Sequence, residues 1–235
     1  MDTLILHFEA PLMSFGGVTV DATGVIRRFP ALSMVCGLLG NALGWDHRDW
    51  ERLQALQSRL TIASRVDVPG RRLTDYQTVD LGQDHLLDDR SWTTHGRLER
   101  RTGGSSRGTH IRLRDFWADA VVTTAVTIDG AAGPTVETVG EALANPARPL
   151  FIGRKPCLPA TPILQSRTQT TTLEEALRLE PLAPRATTKR AATQLPAAPG
   201  DPDATPISDQ RDWANQIHTG QRWVREIDLD YGDAQ

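Results

Sequence analysis

The sequence is short of lysine, cysteine and tyrosine. Lys155 and Lys189 are its only 2 lysines, so arginine carries 24 of the 26 basic side chains. A planar guanidinium suits phosphate forks and base stacking better than an ammonium does. Cys36 and Cys157 stand alone, which excludes a disulfide framework, fits a reducing compartment and leaves neither in metal-ligand spacing. No apolar run approaches the roughly 20 residues of a membrane span, and the opening MDTLILHFEAP has no basic region or cleavage site. A cytoplasmic protein without membrane association is therefore expected. A Walker loop, a GxGxxG after a strand, HExxH and CxxC pairs are all missing, so phosphate-loop, dinucleotide and common zinc chemistry are excluded and no cofactor or metal is expected. An overall basic excess is missing too, with a formal net charge of −3.

That average hides a segregation of charge. Between positions 90 and 114 there are seven arginines and one acid, Glu99, together with His95 and His110. The stretch GRLERRTGGSSRGTHIR within it has no hydrophobic stripe able to hold a core, so residues 81–112 should project as a basic arm. Its charge makes Arg97, Arg100, Arg101, Arg107 and His110 candidate nucleic-acid contacts.

The chain is organised around residues 24–44, GVIRRFPALSMVCGLLGNALG. Pro30 disfavours helix at Phe29, Ser33 has the chemistry of an N-cap, and Val35, Leu38, Leu39, Ala42 and Leu43 recur at helical spacing. Ser33, Gly37, Gly40 and Gly44 fall on the opposite side, although interior glycine costs about 0.5–1 kcal/mol relative to alanine. Such a bare face expects a close neighbour, either an RNA backbone, a partner protein or another element of the same chain. Arg27 and Arg28 precede the helix where its N-terminus already favours anions.

Elsewhere the pattern predicts strands at 3–9, 61–68, 118–128 and 221–229, with 71–79 as hairpin partner of the second. Helices are expected at 49–60, with Trp50, Leu53, Leu56 and Leu60 inward, at 134–145, and after a Thr172/Glu175 capping box. Gly153, Arg154 and Lys155 form a basic turn between prolines, and residues 181–206, rich in proline, alanine and threonine, read as a flexible loop. The order implies an α+β sandwich of the ferredoxin-like or RRM-like kind, with residues 1–80 and 113–155 as body, 81–112 as a basic thumb insertion, and 156–235 as a smaller, irregular C-terminal region.

His95, His110, Tyr76 and Lys155 offer groups for a metal-independent ribonuclease, but histidines in an arginine-rich arm are more often phosphate contacts than a general acid and base. A third reading is a stand-alone RRM-like RNA-binding protein.

The blocks APLMSFGG, RRFPALSMVCGLLGNALG, RRLTDYQTV, RLRDFWADA and FIGRKPCLPATPIL, in this order, resemble the CasD family, the RAMP subunits that hold the crRNA 5′ handle in type I-E CRISPR Cascade. They cover residues 10–164; the remainder matches loosely. The resemblance implies an RRM-like RAMP fold with a protruding thumb, no catalytic residue, and binding to the crRNA 5′ handle. Its partners would be CasC-like backbone subunits, a CasA-like large subunit and, through the assembled complex, target DNA. Residue by residue, it places Arg27, Arg28, Arg154 and Lys155 on the handle; the small-residue face of the helix adds Ser33, Gly37 and Gly40 as candidate RNA contacts. Relatives of type I-C cleave precursor crRNA; in type I-E systems that step belongs to a separate subunit, CasE.

Overall fold

A long apolar strand at the start of the chain, TLILHFE, has side chains for two cores at once, and the fold uses both. In the computed structural model, which describes residues 1–17, 22–80, 90–92, 98–100, 108–130 and 132–232 (backbone alone at 90–92, 99 and 100), β1 (Asp2–Glu9) lies inside a seven-stranded sheet. The other elements are, in chain order, β2 (Leu12–Met13), β3 (Thr23–Gly24), α1 (Leu32–Ala42), α2 (Trp50–Arg59), β4 (Leu60–Val68), β5 (Arg71–Asp80), β6 (Arg90–Trp92), β7 (Leu98–Arg100), β8 (Thr109–Ala118) and β9 (Val121–Ile128). Then follow α3 (Val136–Ala144), β10 (Leu164–Gln169), α4 (Leu173–Leu179), β11 (Arg190–Pro196), β12 (Ala204–Ile207), β13 (Arg211–Asp212), β14 (Ile217–His218) and β15 (Arg222–Asp230).

The large sheet runs β10-β1-β9-β4-β11-β15-β12, and every neighbouring pair is antiparallel. Alternation along its strands splits the apolar residues between two faces. Leu4, Leu6, Phe8, Ile62, Val122 and Val126 join the main core with α1, α2 and α3, whereas Ile5, Ala63 and Ala125 face α4 in a second core. A smaller sheet is built on β8, which pairs with β2, with β5 and, in parallel, with β3. The chain is thus a mixed α+β protein dominated by antiparallel strands.

Several elements match the sequence expectation. The Thr172 hydroxyl accepts from the Glu175 N–H at 3.1 Å, while the Glu175 carboxylate reaches back to the Thr171 N–H at 2.7 Å, closing the box that starts α4. Phe15 is fully buried against Phe8. Val136, Val139 and Leu143 of α3 are buried together in the main core.

Other expectations are corrected. β5 pairs with β8 along its whole length and not with β4, because both edges of β4 are taken by β9 and β11. Gly70 makes the departure possible: at φ +61°, a Cβ there would lie 2.5 Å from the Ala118 carbonyl oxygen. Residues 109–112, assigned to an irregular arm, belong to the ten-residue strand β8. Residues 181–206 are not a loop throughout: β11 crosses them as a buried strand between β4 and β15, its alanines and threonines small enough for a covered sheet position. Together with β15 it makes the C-terminal residues part of the main sheet instead of an irregular appendage. Trp50 opens α2 on the exposed side, since Leu53, Leu56 and Leu60 suffice to fill the inward face.

The first helix starts two residues early and is capped from afar. Ser33 is not the N-cap; it is buried within the first turn. The Asp209 carboxylate accepts from the Leu32 N–H at 3.0 Å, and its carbonyl accepts from the Ser33 N–H at the same distance. Arg222 in turn holds that carboxylate through Nε. A charged cap on the orphan donors of a helix contributes about 1 kcal/mol, and here it also pins the segment before β13 over the start of α1.

Candidate nucleic-acid interface

Ser14, Ser33, Met34, Arg114, Gly153, Arg154, Arg211, Trp213 and His218 are brought from six separate parts of the chain to line one cavity of about 210 Å³. Each wall has its own local cause. The chain before α1 is held by the Arg27 N–H donating to the Phe15 carbonyl and by the Trp117 indole donating to the Arg27 carbonyl, both at 2.7 Å. Gly153 adopts φ +88°, and a Cβ there would sit 1.7 Å from the Ser14 carbonyl oxygen, so only glycine lets these two loops meet. Arg154 crosses above them, donating to the carbonyls of Asp115 at 2.9 Å and Gly24 at 3.1 Å while its guanidinium stacks 4.9 Å from the Phe116 ring. The β13–β14 hairpin forms the far wall, tied down by the buried Gln57, whose side chain both donates to the Arg211 carbonyl and accepts from the Arg211 N–H.

The electrostatics of the cavity are one-sided. Burial, and after it the neighbouring Arg114, lowers the pKa of Arg154; burial alone lowers that of Arg211. Crowded cations of this kind favour an anion. His218 shares the strain: burial first, then the charges of Arg211 and Arg27, push its imidazole below the ordinary value, against opposing contributions from the Gln210 backbone and Asp209. The folded state therefore binds this proton more weakly than the unfolded chain, so the stabilisation is complete above the ordinary histidine value and is lost as pH falls through the lower folded-state value. Thermal denaturation between pH 7 and pH 5 is expected to show a shallower loss of stability in His218→Gln than in wild type; equal slopes would remove His218 from the charge cluster.

Two further hollows lie on the same protein, the first of them sharing Ser33, Met34 and Gly153 with the cavity. One, of about 210 Å³ and largely apolar, runs along α1 between Ser33, Met34, Gly37, Leu38, Phe151 and Gly153. The other lies between Arg27, Arg28, Phe29, Gln194, Asp209 and Glu226.

The residues singled out from the sequence fall into distinct positions. Arg27 is half-buried and donates to the Ser208 carbonyl at 2.7 Å; Arg28 is exposed, 5.7 Å from the Phe29 ring centroid. Ser33 and Gly37 border the hollows, but the glycine face is not the bare outward surface expected. A Cβ on Gly40 would come within 2.5 Å of Leu53 in α2, and one on Gly37 within 3.3 Å of Trp213. Close packing within the chain explains these glycines, since α1 is covered on this side by α2 and the β13–β14 hairpin. Arg154 faces the cavity, whereas Lys155 is exposed on the turn. Arg97, Arg101 and Arg107 lie outside the described residues, and for Arg100 only the backbone, in β7, is described. His110 sits on β8 opposite Val79, and Tyr76 opposite Leu113, so strict alternation puts them on opposite faces of the β5–β8 ribbon. Arg211, Trp213 and His218 were missed, because the stretch QRDWANQIHTG has no period and only its arginine, tryptophan and histidine hint at a site.

Cys36 and Cys157 are buried, and burial raises both thiols, so neither is a ready thiolate. Among the described residues no group of His, Cys, Asp and Glu is placed to hold a metal ion, and no helix is long and apolar enough to cross a membrane.

Comparison with known proteins follows the same outline. The family model described as CRISPR-associated protein (Cas_Cas5) matches residues 3–225. The CRISPR system Cascade subunit CasD of Escherichia coli (strain K12) is 29% identical over 182 residues, covering 74% of this chain and 75% of that protein. Among solved structures, a chain of a CRISPR RNA-guided surveillance complex superposes with a TM-score of 0.70 at 23% identity, over 97% of this chain and 90% of that one. The crystal structure of a Cas protein gives a TM-score of 0.64 at 25% identity, over 97% and 95%.

Proposed function

The chain belongs to the CRISPR-associated Cas5 family, and from that premise we propose that it is a non-catalytic subunit of a CRISPR surveillance complex which holds the 5′ handle of crRNA at the start of α1. The observation that carries this reading is the convergence of Arg114, Arg154 and Arg211 on one cavity beside a helix N-terminus. Backbone-directed RNA binding needs cations spaced along a groove, and these three guanidinium groups supply them. Arg154 is held by two backbone carbonyls and acts mainly by fixing the cavity's shape; Arg28 and Lys155 extend the positive surface outward. On this reading the body is a ferredoxin-like RAMP core, residues 81–112 are the thumb that reaches over the handle, and CasC-like and CasA-like subunits are the protein partners. The placement of Tyr76 and His110 on opposite ribbon faces supports binding without cleavage, because an acid and a base must reach the same phosphodiester.

The test is a salt series with crRNA and the purified protein. Arg114→Ala and Arg211→Ala should each lower affinity severalfold and reduce the slope of log affinity against log salt by about 0.7 for each lost contact to single-stranded RNA. Unchanged slopes in both variants, with both proteins folded, would exclude the cavity as the RNA site. The same preparation, incubated with precursor RNA and EDTA, should give no site-specific product; a cut abolished by His218→Ala would make the protein a nuclease.

A further inference from the structure

The cationic cavity holds three guanidinium groups and one imidazole, and among the described residues no acid lines it. Arg114 comes to it from β8, Arg154 from the turn after Gly153, Arg211 from β13 and His218 from β14. The acids of the surrounding elements are engaged elsewhere. Asp115 accepts from Arg72 and Thr74, and Asp75, opposite Arg114 on β5, accepts from Gln77. Asp209 is shared between Arg222 and the Leu32 N–H. Asp212 follows Arg211 on β13, so alternation turns it to the other face, where it accepts from Asn215.

Of the four basic groups only the imidazole changes charge near neutral pH. His218 stands directly opposite Arg211 in the β13–β14 pair, where two like charges repel across the ladder. Arg27, in the chain before α1, adds to that repulsion, and Asp209 opposes it with a charge already divided between other partners. The half-buried imidazole is therefore neutral in the free protein at neutral pH. A phosphate in the cavity reverses the balance, because its charge acts on all four groups at once and a protonated imidazole donates from both ring nitrogens. We infer that His218 binds a proton as crRNA enters, so that the site gains its fourth cation only when the RNA backbone is in place and holds RNA more tightly as pH falls. This inference rests on the proposed role of the cavity in binding crRNA.

The test measures crRNA affinity of the full chain from pH 8 to pH 6 at fixed salt, for wild type and His218→Gln. Uptake of one proton raises affinity by at most about tenfold per pH unit, and a gain of about threefold to tenfold over this range is expected in wild type, against no more than about twofold in the variant. The gap between the two proteins should widen as pH falls. The slope of log affinity against log salt should also steepen at the lower pH, by up to about 0.7 and in wild type alone, because one more cation then faces the phosphates. A constant gap, or none, would make the imidazole a neutral contact or a bystander and overturn the inference. Imidazole NMR of wild type needs no substitution: the titration midpoint of His218 should rise by about one pH unit or more when crRNA is bound, and an unmoved midpoint would equally overturn it. If wild type bound no crRNA at any pH, the proposed function would fall together with this inference; crRNA binding that ignores pH would remove the proton alone.

Discussion

Arg65→Ala is expected to destabilise the protein by about 3–5 kcal/mol, the cost of leaving a buried charge without its partner. Arg65 is fully buried in β4, where a charge survives only if every donor is used. Its Nε donates to Asp67 at 2.6 Å, and its terminal nitrogens donate to Asp67 and to the carbonyls of Leu177, Glu180 and Pro181 at distances from 2.6 to 3.2 Å. The guanidinium also lies 4.5 Å from the Tyr231 ring centroid. One side chain thus caps the end of α4 and fastens the C-terminal strand to the sheet. Asp67 receives two more bonds, from the Thr123 hydroxyl and the Ala183 N–H, so removing Arg65 strands an acid and three carbonyls together. Urea denaturation of Arg65→Met, Asp67→Asn and the double variant gives the coupling directly. The double variant should be less destabilised than the sum of the singles by about 1–3 kcal/mol, as expected for directly bonded groups. An Arg65→Ala variant within about 1 kcal/mol of wild type would show that the network is dispensable.

Gly153→Ala should have an effect of similar size, by a different route. Left-handed backbone costs a non-glycine residue about 1–3 kcal/mol, and the added methyl would overlap the Ser14 carbonyl oxygen, a backbone atom that no rotamer change can move aside. Relief requires separating the two loops, which breaks the Ser14 N–H bond to the Ile152 carbonyl and opens the cavity that Arg114 and Arg154 line. We expect a denaturation midpoint lowered in proportion to about 3–5 kcal/mol, together with weakened crRNA binding by whatever fraction remains folded. By contrast Arg65→Met, far from the cavity, should leave crRNA affinity of the folded fraction intact. A stable Gly153→Ala protein with normal affinity would contradict the geometry of this contact.

Elements whose signal is local were legible without any coordinates. The apolar run of β1, the β-branched run of β9, the stripe of α1 and the Thr172/Glu175 box each declare their structure within a window of ten residues or so, because side-chain period and capping chemistry act over that range. The charge of the arm was legible for the same reason, as was the resemblance carried by blocks spread over residues 10–164. Tertiary structure decided what depends on partners distant in the chain. Hairpin patterning pointed β5 at β4, but an edge is available only if no other strand occupies it, and β9 and β11 occupy both. Ser33 had the chemistry of a cap, yet Asp209 supplies it, because an orphan N–H accepts whichever oxygen the fold delivers. The glycines of α1 announced a close neighbour without saying which, and Leu53 and Trp213 are the answer. Arg211, Trp213 and His218 reach Arg114 and Arg154 only when β13 and β14 fold back over α1; a binding site is a coincidence of positions in space, and spacing along a chain records positions only within one element.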